Sequence, residues 1–279
     1  MFKIIKIEYY DKFKCWNAEC PDNCCYENWN INIDEETYEK YVQCGVEQLD
    51  SKITKEVPHR IIPQDGKCPF ITSEGLCSIH GTYGENLLSN TCKSYPRFVS
   101  EYGDLYIETL GLSCPAVVSI LLTLEQKCLL VEEIYYESVE EKGHVFPKKQ
   151  NEKVMKKIIS LFYQWDSVEK SLEEAYAFLG IKKKVSLDKD SLNVKVNQEI
   201  NSKYPLLFAN VCISYLFEHI MLESKKNIPQ YVKVLDKCIF LLETFEKQLS
   251  DCFEEKLMLS DDDIVTTLYK IMRKQDHAS

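Results

Sequence analysis

The chain has 279 residues, 45% hydrophobic and 28% charged, with a formal net charge of −10. That apolar share excludes a disordered chain and suits a globular one, while the acidity speaks against a nucleic-acid partner. Nine glycines, about half the usual ~7% share, argue against a fold built on Gly-rich phosphate turns.

In chain order, Lys3–Tyr9 predicts a short strand. The start, Met1-Phe2-Lys3-Ile4-Ile5-Lys6-Ile7-Glu8, lacks the continuous apolar stretch and small-residue cleavage site of a secretory leader. The longest apolar runs, Ile120–Leu124 and Tyr204–Phe217, fall short of the ~20 residues a membrane helix needs. A cytoplasmic protein with no membrane partner is therefore expected, with its thiols reduced. A helix should begin at Asp34, where Asp34-Glu35-Glu36-Thr37 loads the positive end of the dipole with acid. Another is expected near Gly84-Glu85, and a second strand at Leu105–Thr109. Ser113-Cys114-Pro115 marks a helix start, because proline is preorganised for the first turn. The acidic run Glu132–Lys142 reads as a solvated helix face. Residues 142–150 form the best linker.

Helices follow at about Glu152–Leu179, Asn197–Ser224, Pro229–Asp251 and Asp261–Arg273. Gly180 and its lysines stop the first of them, and Ser260-Asp261-Asp262-Asp263 caps the last. Leu206–Met221 is apolar nearly all round, the pattern of a central buried helix. Seven glycines and five prolines precede residue 112, and residues 1–150 carry 15 Lys/Arg against 24 Asp/Glu. The expected fold is mainly α: a Cys-rich, turn-rich metal-cluster module with short strands over residues 1–142, then an α-helical bundle over 151–279, or both as one continuous globule.

Nine of the 13 cysteines lie in the first 114 residues. Cys238 and Cys252 fall on an apolar helical stripe, Cys212 inside an apolar helix, and Cys128 beside one, so all four read as core. Cys44 reads as structural. The ligand candidates are Cys15, Cys20, Cys24, Cys25, Cys68, Cys77, Cys92 and Cys114. Soft thiolates arriving from turns suit iron–sulfur clusters or zinc. Zinc usually takes paired Cys-x2–4-Cys knuckles; such spacing occurs only within Cys15–Cys25, as in Cys20/Cys24, and the remaining ligand candidates stand singly. A radical S-adenosylmethionine signature is absent, since Glu27 stands where the third cysteine belongs. His80 has ligand spacing from Cys77 but reads as a surface or supporting residue, and Trp29 as core.

The string Cys-x3-Cys-Cys-x3-Trp-x-Ile-x-Ile-Asp, from Cys20 to Asp34, is followed by five more motifs: Lys67-Cys68-Pro69-Phe70, Gly75-Leu76-Cys77-Ser78-Ile79-His80, Gly84-Glu85-x2-Leu88, Thr91-Cys92-x2-Tyr95-Pro96-Arg97 and Leu112-Ser113-Cys114-Pro115. In this order they resemble the flagellin lysine-N-methylase family and the wider group of Cys-x3-Cys-Cys iron- or zinc-chelating proteins. Family members often follow Ser-Cys-Pro with an acid and then an arginine. This chain has Ala116 and Ser119, which weakens any role for those positions.

The resemblance implies methyl transfer from S-adenosylmethionine to lysines of flagellin, with a bound iron–sulfur cluster, expected as 4Fe–4S with zinc as the alternative. Tyr95 and Arg97 are the candidate cofactor-binding pair, since arginine grips carboxylates bidentately; the alternative is a structural arginine capping carbonyls or pairing with an acid. A polar transfer needs the lysine as free amine. Asp34, Glu85, Glu108 and Tyr95 are possible bases, none singled out by sequence. Two other readings stand beside the enzyme: an iron–sulfur electron carrier, and a structural metal module supporting an interaction domain.

Overall fold

A computed structural model describes residues 2–27, 29, 31–136, 149–187, 191–222, 227–256 and 258–278. It is mainly α, as expected, with a small set of short strands. The chain divides into two compact units, Lys14–Pro96 and the remainder, Met1–Phe13 with Arg97–Ser279. The divisions thus fall at 13/14 and 96/97, whereas composition placed one between 142 and 151. Most of that expected linker lies outside the described residues.

The larger unit opens with strand β1 (Phe2–Ile7). The smaller unit then contributes β2 (Asn32–Ile33), α1 (Glu35–Gln43), α2 (Leu49–Lys52), β3 (His59–Arg60), α3 (Ser78–Tyr83) and α4 (Asn90–Ser94). Its two strands pair antiparallel. Ile33, Tyr41, Val46, Ile53, Ile61, Phe70 and Ile79 form its core. The helix expected at Asp34 is present, and the Asp34 carboxylate caps it by accepting from the Thr37 amide at 3.0 Å and the Thr37 hydroxyl at 2.8 Å. Near Gly84 there is only a single 3-10 turn, Glu85–Leu87, because the chain leaves Gly84 at φ 81° instead of helical values. Asp34→Ala should cost about 1 kcal/mol, the usual value of a lost N-cap. Thermal denaturation of the two proteins checks this, and an unchanged midpoint would show the cap to be idle.

Back in the larger unit come β4 (Arg97–Tyr102), β5 (Leu105–Leu110), α5 (Pro115–Leu122) and β6 (Leu130–Tyr135). The sheet order is β4-β5-β1-β6, with β1 parallel to β5 and antiparallel to β6. Thus Glu132 and Glu133 belong to a strand, not to the solvated helix face expected of that run. Glu133 takes an ion pair from Lys6 at 2.9 Å, and Glu132 one from Lys156. Residues 137–142 of the run lie outside the described residues. Pro115 occupies the first turn of α5, as expected.

The helices that follow are α6 (Lys149–Gln164), α7 (Val168–Phe178), α8 (Ser191–Lys203), α9 (Leu207–Leu222), α10 (Ile228–Lys256) and α11 (Asp261–Ala278). Two expected helices are broken in two. The first breaks at Trp165–Ser167, where the Ser167 hydroxyl accepts from the Lys170 amide and so starts α7 afresh. The second breaks before α9 at Tyr204–Leu206, because Pro205 has no amide hydrogen and disfavours helical geometry in the residue before it. α9 is the central helix: Leu207 through Phe217 are all buried, with Ile220 and Met221. It packs against α5, α6, α10 and β5. Two of its polar side chains take partners from distant parts of the larger unit. Tyr9 shares a hydrogen bond with Ser214 at 2.8 Å, and the Cys128 amide donates to Asn210 Oδ1 at 2.7 Å. Cys128, Cys212 and Cys238 are wholly buried, as core residues should be, while Cys252 is only half-buried.

The imidazole of His219, in the last turn of α9, stacks on Tyr215 at 3.9 Å and hydrogen-bonds its Nδ1 to the Tyr215 carbonyl. Burial, assisted by the nearby Lys237 charge, holds its pKa down to about 4. In the unfolded chain the value is ~6.5, so between the two the unfolded state binds the extra proton. The stabilisation is complete above pH 6.5 and is lost as pH falls towards 4, by about 2 kcal/mol once partial exposure is allowed for. His219→Phe keeps the stack and should flatten that pH dependence in urea titrations at pH 7.5 and 4.5. An equal acid loss in both proteins would assign the effect to other groups.

Candidate metal centre

The first cysteine pair of the smaller unit sits on one tight turn, Cys24–Tyr26. Asn23 builds that turn. Its side-chain oxygen accepts from the Cys25 amide at 2.9 Å, while its Nδ2 donates to the Gly75 carbonyl at 2.9 Å. Asn23 thereby ties the Cys24-Cys25 turn to the loop that delivers Cys77. Gly75 stands at φ 77°, a left-handed backbone suited to glycine, and a Cβ there would press on the Tyr26 hydroxyl at 3.3 Å.

Cys68 is tied to the same turn, since its amide donates to the Cys25 carbonyl at 2.9 Å. Residues 71 and 77 then bridge antiparallel, and Ser78 donates both its amide and its hydroxyl to the Phe70 carbonyl. Cys77 therefore arrives at the head of α3, where the Ile79 and His80 amides point at its sulfur. Cys92 rides on α4, whose start is capped by the Ser89 hydroxyl accepting from the Cys92 amide at 3.2 Å. Both Cys68 and Cys77 pack against the small core.

The five thiols act on one another. The neighbouring Cys24 and Cys68 sulfurs, together with burial, push the Cys25 thiol far above the usual range. The Cys25 hydrogen bond and the Phe70 amide draw Cys68 down despite burial. Burial raises Cys77, with the charges of Cys68 and Cys24 adding to it. Cys92 is exposed, yet the chain around it strips enough solvent from the thiol to push it up to about 11, helped by Cys68, Cys77 and Cys24. The Tyr41 hydroxyl is raised first by its burial and then by Cys92, Cys77 and Cys68. Cys24, Cys25, Cys68, Cys77 and Cys92 thus form one sulfur-rich cluster beside Tyr41.

The other sequence candidates stand differently. Cys15 is exposed and its sulfur accepts from the Asn17 amide at 3.3 Å. Cys20 is half-buried at the end of the 3-10 turn Asn17–Glu19. Cys114 is buried and heads α5 in the larger unit. Cys44 is exposed at the end of α1. His80 is exposed and contributes its amide, and Trp29 meets Tyr95 edge-on at 4.6 Å. Arg97 begins β4, donating to the Phe13 carbonyl at 3.2 Å with its guanidinium over the Phe13 ring at 4.8 Å. Sequence reasoning missed Asn23 and Tyr41. An Asn directly before two cysteines is a turn signal, and Tyr41 lies on the apolar face of α1.

An iron–sulfur cluster or zinc fits this donor set chemically. The thiols converge from short turns, and backbone amides aimed at sulfur are what tunes such centres. Among the described residues no three His, Cys, Asp or Glu side chains stand at metal-ligand spacing, so the thiols are gathered but not closed on a common point. Among the same residues no helix is long and apolar enough to cross a membrane.

No family model matches the chain, and no solved structure matches it. Among curated proteins it is 27% identical over 172 residues to a lysine-N-methylase of Salmonella typhimurium strain LT2, a match covering 54% of this chain and 39% of that protein. A lysine-N-methylase of Salmonella choleraesuis is 28% identical over 171 residues, covering 54% and 38%. The flagellar biosynthetic protein FliU of Salmonella muenchen is 30% identical over 131 residues, covering 39% of this chain and 71% of FliU. The chain therefore spans about two fifths of the length of the two methylases and most of FliU. On these matches, the chain belongs to the lysine-N-methylase family.

Proposed function

We propose that this protein methylates lysine side chains of flagellin, taking the methyl group from S-adenosylmethionine and carrying an iron–sulfur cluster on the cysteines of its smaller unit. The observation that carries the reading is the gathering of Cys24, Cys25, Cys68, Cys77 and Cys92, in a chain whose relatives are named for lysine methylation and flagellar biosynthesis. When bound, such a cluster supplies an iron site able to take the amino and carboxylate groups of S-adenosylmethionine. That would hold the methyl donor without the Gly-rich turn this sequence lacks.

The chain's own residues have defined parts. Cys24, Cys25, Cys68, Cys77 and Cys92 would hold the metal, and the amides of Phe70, Ile79 and His80 would stabilise the sulfur charge. Asp34 is committed to capping, accepting from Thr37 and from the Asn90 amide. Glu108, in the larger unit, has its carboxyl raised by burial and is not committed to capping.

The test is to incubate the metal-reconstituted protein with flagellin and S-adenosylmethionine and to read lysine methylation by mass spectrometry. Methyl-lysine is the expected product, and its absence from a fully loaded protein would overturn the proposal. Visible charge-transfer absorbance distinguishes iron–sulfur from zinc on the same thiols.

A further inference from the structure

One face of the sheet in the larger unit is buried through Ile5, Ile7, Leu105 and Ile107, while the other is half-buried or exposed except at Leu110, which pairs with Arg97 at its edge. The strand register lays three cross-strand rows on this second face. Val99, Glu108, Lys6 and Val131 form the first, Glu101, Tyr106, Ile4 and Glu133 the second, and Phe2 with Tyr135 the third. A solvated sheet face ordinarily alternates to polar side chains, yet this one presents aromatic and aliphatic groups in every row. Phe2 stacks on Tyr135 at 4.9 Å and meets Tyr106 edge-on at 5.4 Å.

Acids border the rings. The Tyr106 hydroxyl donates to Glu101 at 3.2 Å and the Tyr135 hydroxyl to Glu133 at 2.7 Å. The cations on the same face are already engaged. Lys6 lies between Asp11 at 2.8 Å and Glu133 at 2.9 Å, and Arg97 rests on Phe13. Glu101, Glu108 and Glu133 on the face, with Asp11 beside Lys6, outnumber Lys6 and Arg97, so negative charge is in local excess.

The geometry points to this face as the docking surface for a lysine-bearing polypeptide segment, whose ammonium groups lie on the rings of Phe2, Tyr106 and Tyr135 among Glu101, Glu108 and Glu133. Electron-rich ring faces beside carboxylates attract an ammonium group twice over, by cation–π attraction and by charge. The inference deepens the proposed lysine methylation by naming where the substrate chain is held, and it rests on that reading only for the reaction after docking.

The experiment uses the full chain and a fluorescently labelled synthetic dodecapeptide alternating lysine and serine, followed by anisotropy at low salt. The wild type should bind it, and acetylating the lysines should weaken binding at least about tenfold. Tyr135→Leu, at an exposed position, should weaken it about fivefold, and Glu101→Lys about tenfold. Glu254→Lys makes the same charge change on the exposed surface of α10 and should leave binding unchanged. No binding by the wild type overturns the inference. So does wild-type affinity in both folded sheet variants, or an equal loss in Glu254→Lys. Peptide binding without methyl transfer would sink the proposed activity and leave the docking surface standing. Flagellin methylation unaffected by the two sheet variants would do the reverse.

Discussion

Serine in place of Cys25 is expected to leave the protein with less than a tenth of its bound metal after dialysis, measured by elemental analysis of the purified chain. Cys25 is the hub of the thiol group, with Cys24 and Cys68 both acting on its sulfur and a carbonyl that fixes the Cys68 backbone. A structural four-ligand zinc site is worth ~10–16 kcal/mol, so one thiolate carries about 3 kcal/mol, more than a hundredfold in affinity. Cys44→Ser, at the exposed end of α1, should retain full metal. The unit should also melt earlier in Cys25→Ser. Its core is small and no cysteine in it is disulfide-bonded, so a bound metal would supply the staple that a small core gains most from. Full metal content in Cys25→Ser would remove that residue from the ligand set.

Phe217→Ala should destabilise the larger unit by about 3–5 kcal/mol, the range for truncating an enclosed aromatic. Phe217 is fully buried on the helix that packs against α5, α6, α10 and β5, so no neighbour can collapse into the space without moving an element. Phe240→Ala is the control: Phe240 is 61% exposed on α10 and its loss should cost under about 0.5 kcal/mol. Urea titration followed by circular dichroism measures both. A loss under about 1 kcal/mol for Phe217→Ala would mean that α9 is not the centre of the core.

The range of each interaction decides which features the sequence disclosed and which it hid. Asp34, Pro115 and the apolar run of α9 act within a turn or two of themselves, and each is where local chemistry puts it. Ser167 and Pro205 carried equally local signals for the two helix breaks, but the apolar periodicity running through them outweighed those signals. β4 and β6 were unreadable for another reason. Their Arg97, Glu101, Glu132 and Glu133 interrupt the alternation of a strand, and the lysines that neutralise the glutamates of β6 lie far off in sequence, on β1 and α6. The parallel pairing of β1 with β5 depends on residues about a hundred positions apart, which no local pattern encodes. In the site, sequence order supplied the cysteine types but not their grouping. That five of them share a cluster depends on Asn23 bridging to Gly75 and on the Cys68–Cys25 backbone bond, whereas Cys114 belongs to the other unit.

The Arg97 guanidinium grips the Phe13 carbonyl and lies on the Phe13 ring. Those two residues are the points where the chain leaves the larger unit and where it returns. An excursion whose ends meet costs its host little closure entropy, and the cost grows only slowly with the length of the inserted segment. The cysteine-bearing segment can therefore lengthen, shorten or be exchanged over evolutionary time without disturbing the unit that receives both ends. A graft of the same segment between two adjacent strand ends of an unrelated scaffold would meet the same requirement.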